Sequence, residues 1–461
     1  MRPCLSSRVA FIALIALLGF DVRADEAAQR GYRLLTETPV LSSDFRQEVF
    51  DQVWRSWPTA LREKAEDSSV DQRRIMAFQR YGLTTRPSDA SGKPLQYVVG
   101  EDGKWTMNCF SCHGGSVYGT VTPGAPNNRF ALQTMTEEIR ATKFRLGKPL
   151  SRMDVGAMVI PLGTTNGTTN AVVFGVGLMS QRDEQLNLIN APPMKHVHHD
   201  MDAPPWWHFH KRPFIYIDGF AQKGHRGLMQ FMLIPENGPE FFRDHEDDFR
   251  DVFAYLSSLR PPKYVGPIDQ ILAEQGRGVF NESCAECHGT YKQKDDALTN
   301  LATTYPNRRV PLEEIGTDPV RLAALSVAGR SKYARSWFAH GGEPEEQETV
   351  VDPDGYVAPP LDGVWASPPY FHNGSVPTLW HVLNPKQRPQ VWRRVGEEID
   401  AERVGFQIEA VEKISYTETD VAIRRSYFDT RRFGKSNAGH EFPDQLSSEE
   451  KLAVLEYLKT L

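Results

Sequence analysis

Two five-residue stretches constrain this chain more than anything else in it: CFSCH at Cys109–His113 and CAECH at Cys284–His288. Each sets two thiols three positions apart and an imidazole directly after the second. That spacing lets the thiols reach the two vinyl positions on one porphyrin edge, with the histidine beneath the ring as an iron ligand. A disulfide or a zinc site also uses Cys-x-x-Cys. The chain has 5 cysteines, however, and Cys109, Cys112, Cys284 and Cys287 account for all but Cys4. The expectation is two covalently attached haem c groups, with His113 and His288 as proximal iron ligands.

Cys4 lies in an N-terminal segment of its own kind. Arg2 and Arg8 precede the apolar run Val9–Phe20, and small residues lead to Ala24. This reads as a secretory leader over 1–24. The run is too short to span a bilayer, which takes about 20 apolar residues. A mature protein starting near Asp25, soluble and periplasmic or secreted with no membrane span, is expected. With 40% hydrophobic and 24% charged residues the chain is not a disordered one. A net charge of −6 gives no reason to expect a nucleic-acid partner.

The chain also repeats itself. FRDVFAYLSSL (249–259) aligns with KLAVLEYLKTL (451–461) at an offset of 202, placing Val252 on Val454 and Leu256 on Leu458. Ser447 and Glu450 open the second copy as a capping box. Apolar residues of PIDQILAEQGRGVF share one helical face just before the second haem motif. The prolines and glycine of RPPKYVGPID (260–269) mark a linker. The predicted fold class is mainly α: two cytochrome c-type haem domains with helical and loop insertions and a small β-hairpin. The hairpin falls in LQYVVGEDGKWTM, before the first motif. The domains are 25–262, with a helical N-terminal extension, and 263–461; a helical insertion is expected at 300–345. The turn-rich stretch 163–177 receives no chemistry.

The sixth iron position separates electron transfer from ligand chemistry. Two histidines are candidates for the second haem: His440 in NAGHEF and His372 in PPYFHNG. The repeat sets Pro239 against His440 and Ile217 against His372. The first haem therefore lacks a counterpart ligand and is expected to be open, with His113 as its catalytic-site ligand. The rival reading recruits a ligand from Met194, His196, His198, His199, Met201, His208, His210, Met229 or Met232. The histidines among these could instead bind an extra metal or simply line the structure. Trp206 and Trp207 read as core aromatics or as an electron bridge between the haems. Glu240 is a candidate pocket group.

The two haem motifs, GTDPVR (316–321), PPYFHNGSVPTL and GHEF before EYLKTL together resemble the bacterial di-haem cytochrome c peroxidase superfamily, and within it the rubber oxygenase-like branch. The resemblance implies two mostly helical cytochrome c domains whose haems face a common interface. It implies His440 as the second ligand of the C-terminal haem, His372 near the haem edge, and an N-terminal haem with no side chain opposite His113. Calcium sits between the domains of such peroxidases; no acidic loop here supports it. The chain is shorter than the polymer-cleaving members, so their substrate is not carried over. The expected function is haem-dependent oxidation, oxygenation or peroxide reduction. It would use O₂ or peroxide with a reductant or organic substrate, and a redox protein as a further partner. The alternative is a di-haem electron carrier with two six-coordinate irons.

Overall fold

A computed structural model describes residues 26–192, 197–293, 300–340 and 348–461. The leader at 1–24, Met194 and His196 lie outside the described residues.

Two helix crossings organise the chain, and each turns on a glycine. The helix Gln270–Ser283 starts on Asp269, whose carboxylate accepts the N–H groups of Ile271 and Leu272, both at 3.0 Å. It crosses the terminal helix Ser448–Leu458, capped by Ser447 and Glu450. A Cβ on Gly276 would collide with the Ala453 carbonyl, so only glycine permits this approach. Phe280, Val454, Leu455 and Leu458 close the core around it. The first half repeats the arrangement. The helix at 26–37 meets Glu246–Ser258, with Gly31 pressed on Asp251 and Val252. Val252 and Val454, matched by the sequence repeat, thus hold the same place beside a glycine. Leu35 and Phe280, each four residues beyond its glycine, are both buried. The first helix is therefore half of a repeated unit rather than an extension.

The predicted fold class needs correction. Helix makes up 42% and strand 13% of the described residues, the strands forming six small sheets. One is the expected hairpin, Tyr97–Val99 against Lys104–Met107, joined by a third strand, Phe45–Arg46. Another, unanticipated, sets Val391–Asp400 between Gly405–Val411 and Tyr427–Asp429. Nor do two separate haem domains emerge. The core of the first crossing takes in Leu325, Tyr333 and Phe338; that of the second takes in Val117, Ala125 and Trp207. Insertions from each half bury their apolar residues against the other half's crossing. The fold is a mixed helix-and-sheet one with interleaved cores. The described part of the expected insertion, 300–340, holds two strands, Asn300–Ala302 and Arg309–Pro311, and short helices, the longest Val327–Ala334.

Burial makes this fold acid-sensitive. His381 is buried beside Thr378, whose Oγ1 lies 2.7 Å from Nδ1. Burial first, then the cations Arg403 and Arg388, pushes His381 down to about 4. The unfolded chain, with a histidine near 6.5, takes up a proton that the fold excludes. This contribution to stability is complete above pH ~6.5 and is lost as the pH falls toward 4, by up to about 1.4 kcal/mol per pH unit. His208, also lowered by burial, adds in the same direction. In thermal unfolding, His381→Gln is expected to show a shallower fall in Tm between pH 6.5 and 4.5 than the unsubstituted protein.

Candidate haem centres

The hairpin aims the first motif. Strand Lys104–Met107 leads into the short helix Phe110–His113, with Cys109 at its N-cap. Asn108 pins the entry: its side-chain N–H donates to the Leu95 carbonyl at 3.0 Å, and its Oδ1 accepts the Phe110 N–H at 2.9 Å. Ser111 Oγ donates to the Gln96 carbonyl at 3.0 Å. Phe110 is fully buried against Tyr32 and Trp206. Together these contacts leave His113 little freedom. Its Nδ1 lies 3.1 Å from the Pro204 carbonyl oxygen. A carbonyl only accepts, so Nδ1 carries the proton and Nε2 keeps its lone pair. Trp206 stacks on the imidazole at 4.7 Å and 25°. Burial pushes His113 down to about 4, so the ring is neutral, the form that binds a metal.

The thiols of Cys109 and Cys112 are free, and burial pushes them up to about 12 and about 11. Thr169 and Asp202 both stand close to the Cys112 thiol; they come from the paired strands Thr168–Thr169 and Met201–Asp202. The stretch 163–177, read as chemically silent, thus reaches the site through Thr169. Its second half opens a helix, Ala171–Ser180.

At the second motif, helix Gln270–Ser283 runs directly into Cys284 and the turn Ala285–His288. His288 Nδ1 donates to the Pro359 carbonyl at 2.9 Å. The imidazole facing it belongs to His440, with ring centroids 6.2 Å apart and planes at 58°. An imidazole nitrogen bonds a first-row metal at about 2 Å, so two rings sharing one ion need centroids ~6 Å apart. The loop is built to hold this ring. His440 adopts φ +50° directly after Gly439 at φ +81°, and Gly439 is pressed on Gly316. The His440 N–H donates to the Ile315 carbonyl at 2.6 Å. Arg388 donates to the carbonyls of Asn437 and Gly439, both at 2.7 Å. A left-handed histidine costs backbone energy and persists only where its surroundings enforce it. Burial, then His288 and Arg388, pushes His440 down to about 3.

Cys284 and Cys287 are also free thiols, raised by burial, Cys284 to about 11. The residues fit haem c: unpaired thiols, a neutral imidazole with Nε2 available, and at the second motif another imidazole at shared-ion distance. His372 does not join them. Its ring packs on Tyr356 at 4.5 Å, and its carbonyl accepts the Asp202 N–H at 2.9 Å.

The two prolines that anchor the motif histidines belong to a longer repeat. Ala203–Gly219 and Ala358–Gly374 align without a gap at an offset of 155, sharing Ala-Pro-Pro, a later proline and the final glycine. The carbonyl of the first proline of each Ala-Pro-Pro holds the histidine of one Cys-x-x-Cys-His motif. Gly219 and Gly374 both take positive φ. The copies are joined where Trp207 Nε1 donates to the Asp362 carbonyl at 2.8 Å. An Ala-Pro-Pro occurring at the same distance before each loop was the available signal.

The other candidates are placed elsewhere. Met229 and Met232 are core residues, and Glu240 is exposed. His198 pairs with Asp200 at 3.2 Å, and His208 Nε2 contacts the Asp362 carbonyl at 2.7 Å. His199 and Met201 are buried, as is the Nδ1 of His210. Among the described residues no three His, Cys, Asp or Glu side chains converge as a further metal site.

Known proteins place part of this chain. Residues 355–393, holding the second Ala-Pro-Pro and the His372 loop, match the model of the family described as RoxA-like, cytochrome c-like. Two proteins of Sinorhizobium fredii are similar. The uncharacterized protein y4iJ is 33% identical over 262 residues, covering 45% of this chain and 42% of the relative. The uncharacterized protein y4iM is 30% identical over 209 residues, covering 41% and 45%. The chain therefore spans less than half the length of each. Residues 355–393 relate this chain to the RoxA-like, cytochrome c-like proteins and mark it as a haem c-binding cytochrome.

Proposed function

We propose that the protein is an exported oxidoreductase with two haem c groups, one at each Cys-x-x-Cys-His. The His113 side is left for O₂ or peroxide, and the His288 side, closed by His440, stores or relays electrons. One observation carries this reading: His440 faces His288 at 6.2 Å, whereas no imidazole of the described residues faces His113. The ring contact of His113 is Trp206, and the repeat partner of His440 is Pro239, which begins the helix Pro239–Asp244.

When bound, haem c supplies the one-electron chemistry of its iron. The chain's own residues hold and connect the two places. Cys109 and Cys112, and Cys284 and Cys287, provide the attachment thiols. Pro204 and Pro359 fix the tautomers of His113 and His288 through their carbonyls. From those carbonyls a short path of chain, Pro204 to Trp207 and Asp362 back to Pro359, is closed by the Trp207–Asp362 hydrogen bond. It links one proximal imidazole to the other. Trp206 and Phe110 keep water from the His113 side, since both are buried there. The export reading rests on residues 1–24. No helix of the described residues is long and apolar enough to cross a membrane.

Mass spectrometry of the chain matured with a c-type haem assembly system tests the haem number. Two added haems are expected, and one in Cys284→Ala. Two haems retained in that variant would refute the second attachment site.

A further inference from the structure

Where the two halves of the chain meet lies a cluster of fully buried charge. Asp218 pairs with Arg321 at 3.1 Å and with Arg330 at 2.8 Å, and none of the three side chains is more than 1% exposed. Asp218 comes from the first repeat loop, and the two arginines follow the Asp318 turn of the second half. Two guanidiniums thus share one carboxylate. The neighbouring acids do not restore the balance. Both oxygens of Asp318 are taken by the N–H groups of Val320 and Ser436, at 2.9 Å each, and Asp200 pairs with Lys435 at 2.8 Å.

The arginines also carry donors with no acceptor. Nε and Nη1 of Arg321 and Nη2 of Arg330 are buried without a hydrogen-bond partner, and so is Nε2 of the nearby His199. The faces of the guanidiniums are occupied: Arg321 lies 4.8 Å from the Tyr216 ring, and Arg330 5.6 Å from that of Phe220. What is left is a set of N–H edges. A guanidinium has five donors and no acceptor, and a buried unpaired cation is strongly disfavoured. Such a fork matches a carboxylate.

Chains of contact lead from the cluster toward both candidate haem centres. Asp202, at the Cys112 thiol, donates its backbone N–H to the carbonyl of His372, whose ring lies in the field of Arg321 and Asp218. On the other side, Gly316, at the head of the turn that leads to Arg321, packs on Gly439 beside His440.

We propose that Arg321 and Arg330 form a carboxylate-binding site at the seam, and that it takes propionate carboxylates of haem held at the Cys-x-x-Cys-His motifs. This rests on the two-haem reading. A free carboxylate anion is the other source of the same chemistry.

The test uses the matured protein, with covalent haem counted by mass and both midpoint potentials measured by spectroelectrochemical titration. Arg321→Met removes a positive charge. It is expected to lower the reduced-to-oxidised ratio of at least one haem about tenfold at fixed poise, about 59 mV for one electron. Asp218→Asn removes the balancing negative charge and is expected to shift the potential the opposite way. A packing role alone does not produce opposite signs. Arg330→Met repeats the first arm should Arg321→Met not fold. Acetate added to the unsubstituted protein at constant ionic strength is expected to leave both potentials unchanged. A saturable acetate shift, absent in Arg321→Met, would overturn the propionate assignment in favour of a free carboxylate. Potentials unmoved in all the variants would overturn the site itself. Fewer than two haems on the unsubstituted protein would instead refute the underlying reading.

Discussion

Replacing His440 with alanine is expected to open the second haem centre. After maturation and reduction, the unsubstituted protein should bind one CO per chain and His440→Ala two, with the second haem passing from low to high spin. Among the described residues no other imidazole faces His288. His440 is the imidazole that faces His288, and the loop spends left-handed backbone on both Gly439 and His440 to put it there. His372 packs on Tyr356 instead, so His372→Ala should keep the CO stoichiometry at one. The reverse pattern, with His372→Ala opening the centre and His440→Ala silent, would reassign the ligand.

The largest stability effect is expected at the helix crossings. Gly276→Ala drives a methyl group into the Ala453 carbonyl, and Gly31→Ala drives one into that of Asp251. The obstacle in each case is backbone, which cannot rotate away as a side chain can. The expected cost is at the upper end for overpacking, about 3 kcal/mol. Gly278, two residues on in the same helix, has open space around its Cβ position. Gly278→Ala should therefore stabilise the helix by about 0.5–1 kcal/mol through propensity alone. Denaturant midpoints of the three variants check the pattern. Equal effects at 276 and 278 would mean that the crossing is not tight.

What could be read from the sequence depended on how local its cause was. Covalent attachment needs a fixed spacing, so the two motifs were visible at once. The match of Val252 with Val454 was visible because both sit on amphipathic helices. Their partner in the first half was hidden: Gly31 in AAQRGYRLL looks like a weak spot in an ordinary helix until Asp251 is seen against it. The sheet at 391–429 was hidden because its strands are largely solvated. Val391–Asp400 carries Arg393, Arg394, Glu397 and Glu398 rather than alternating apolar residues, and Arg393 pairs across it with Glu409 at 2.6 Å. The interleaving of the cores was hidden for the same kind of reason. No local pattern reveals that Trp207 packs with the second half, or Tyr333 and Phe338 with the first.

The central claim is the asymmetry of the two centres, and the EPR spectrum of the matured ferric protein tests it most directly, followed by CO titration after reduction. One high-spin and one low-spin haem in equal amounts, with CO taken up by one of them, is the predicted result. Two low-spin haems and no CO uptake in any redox state would contradict it and leave an electron carrier.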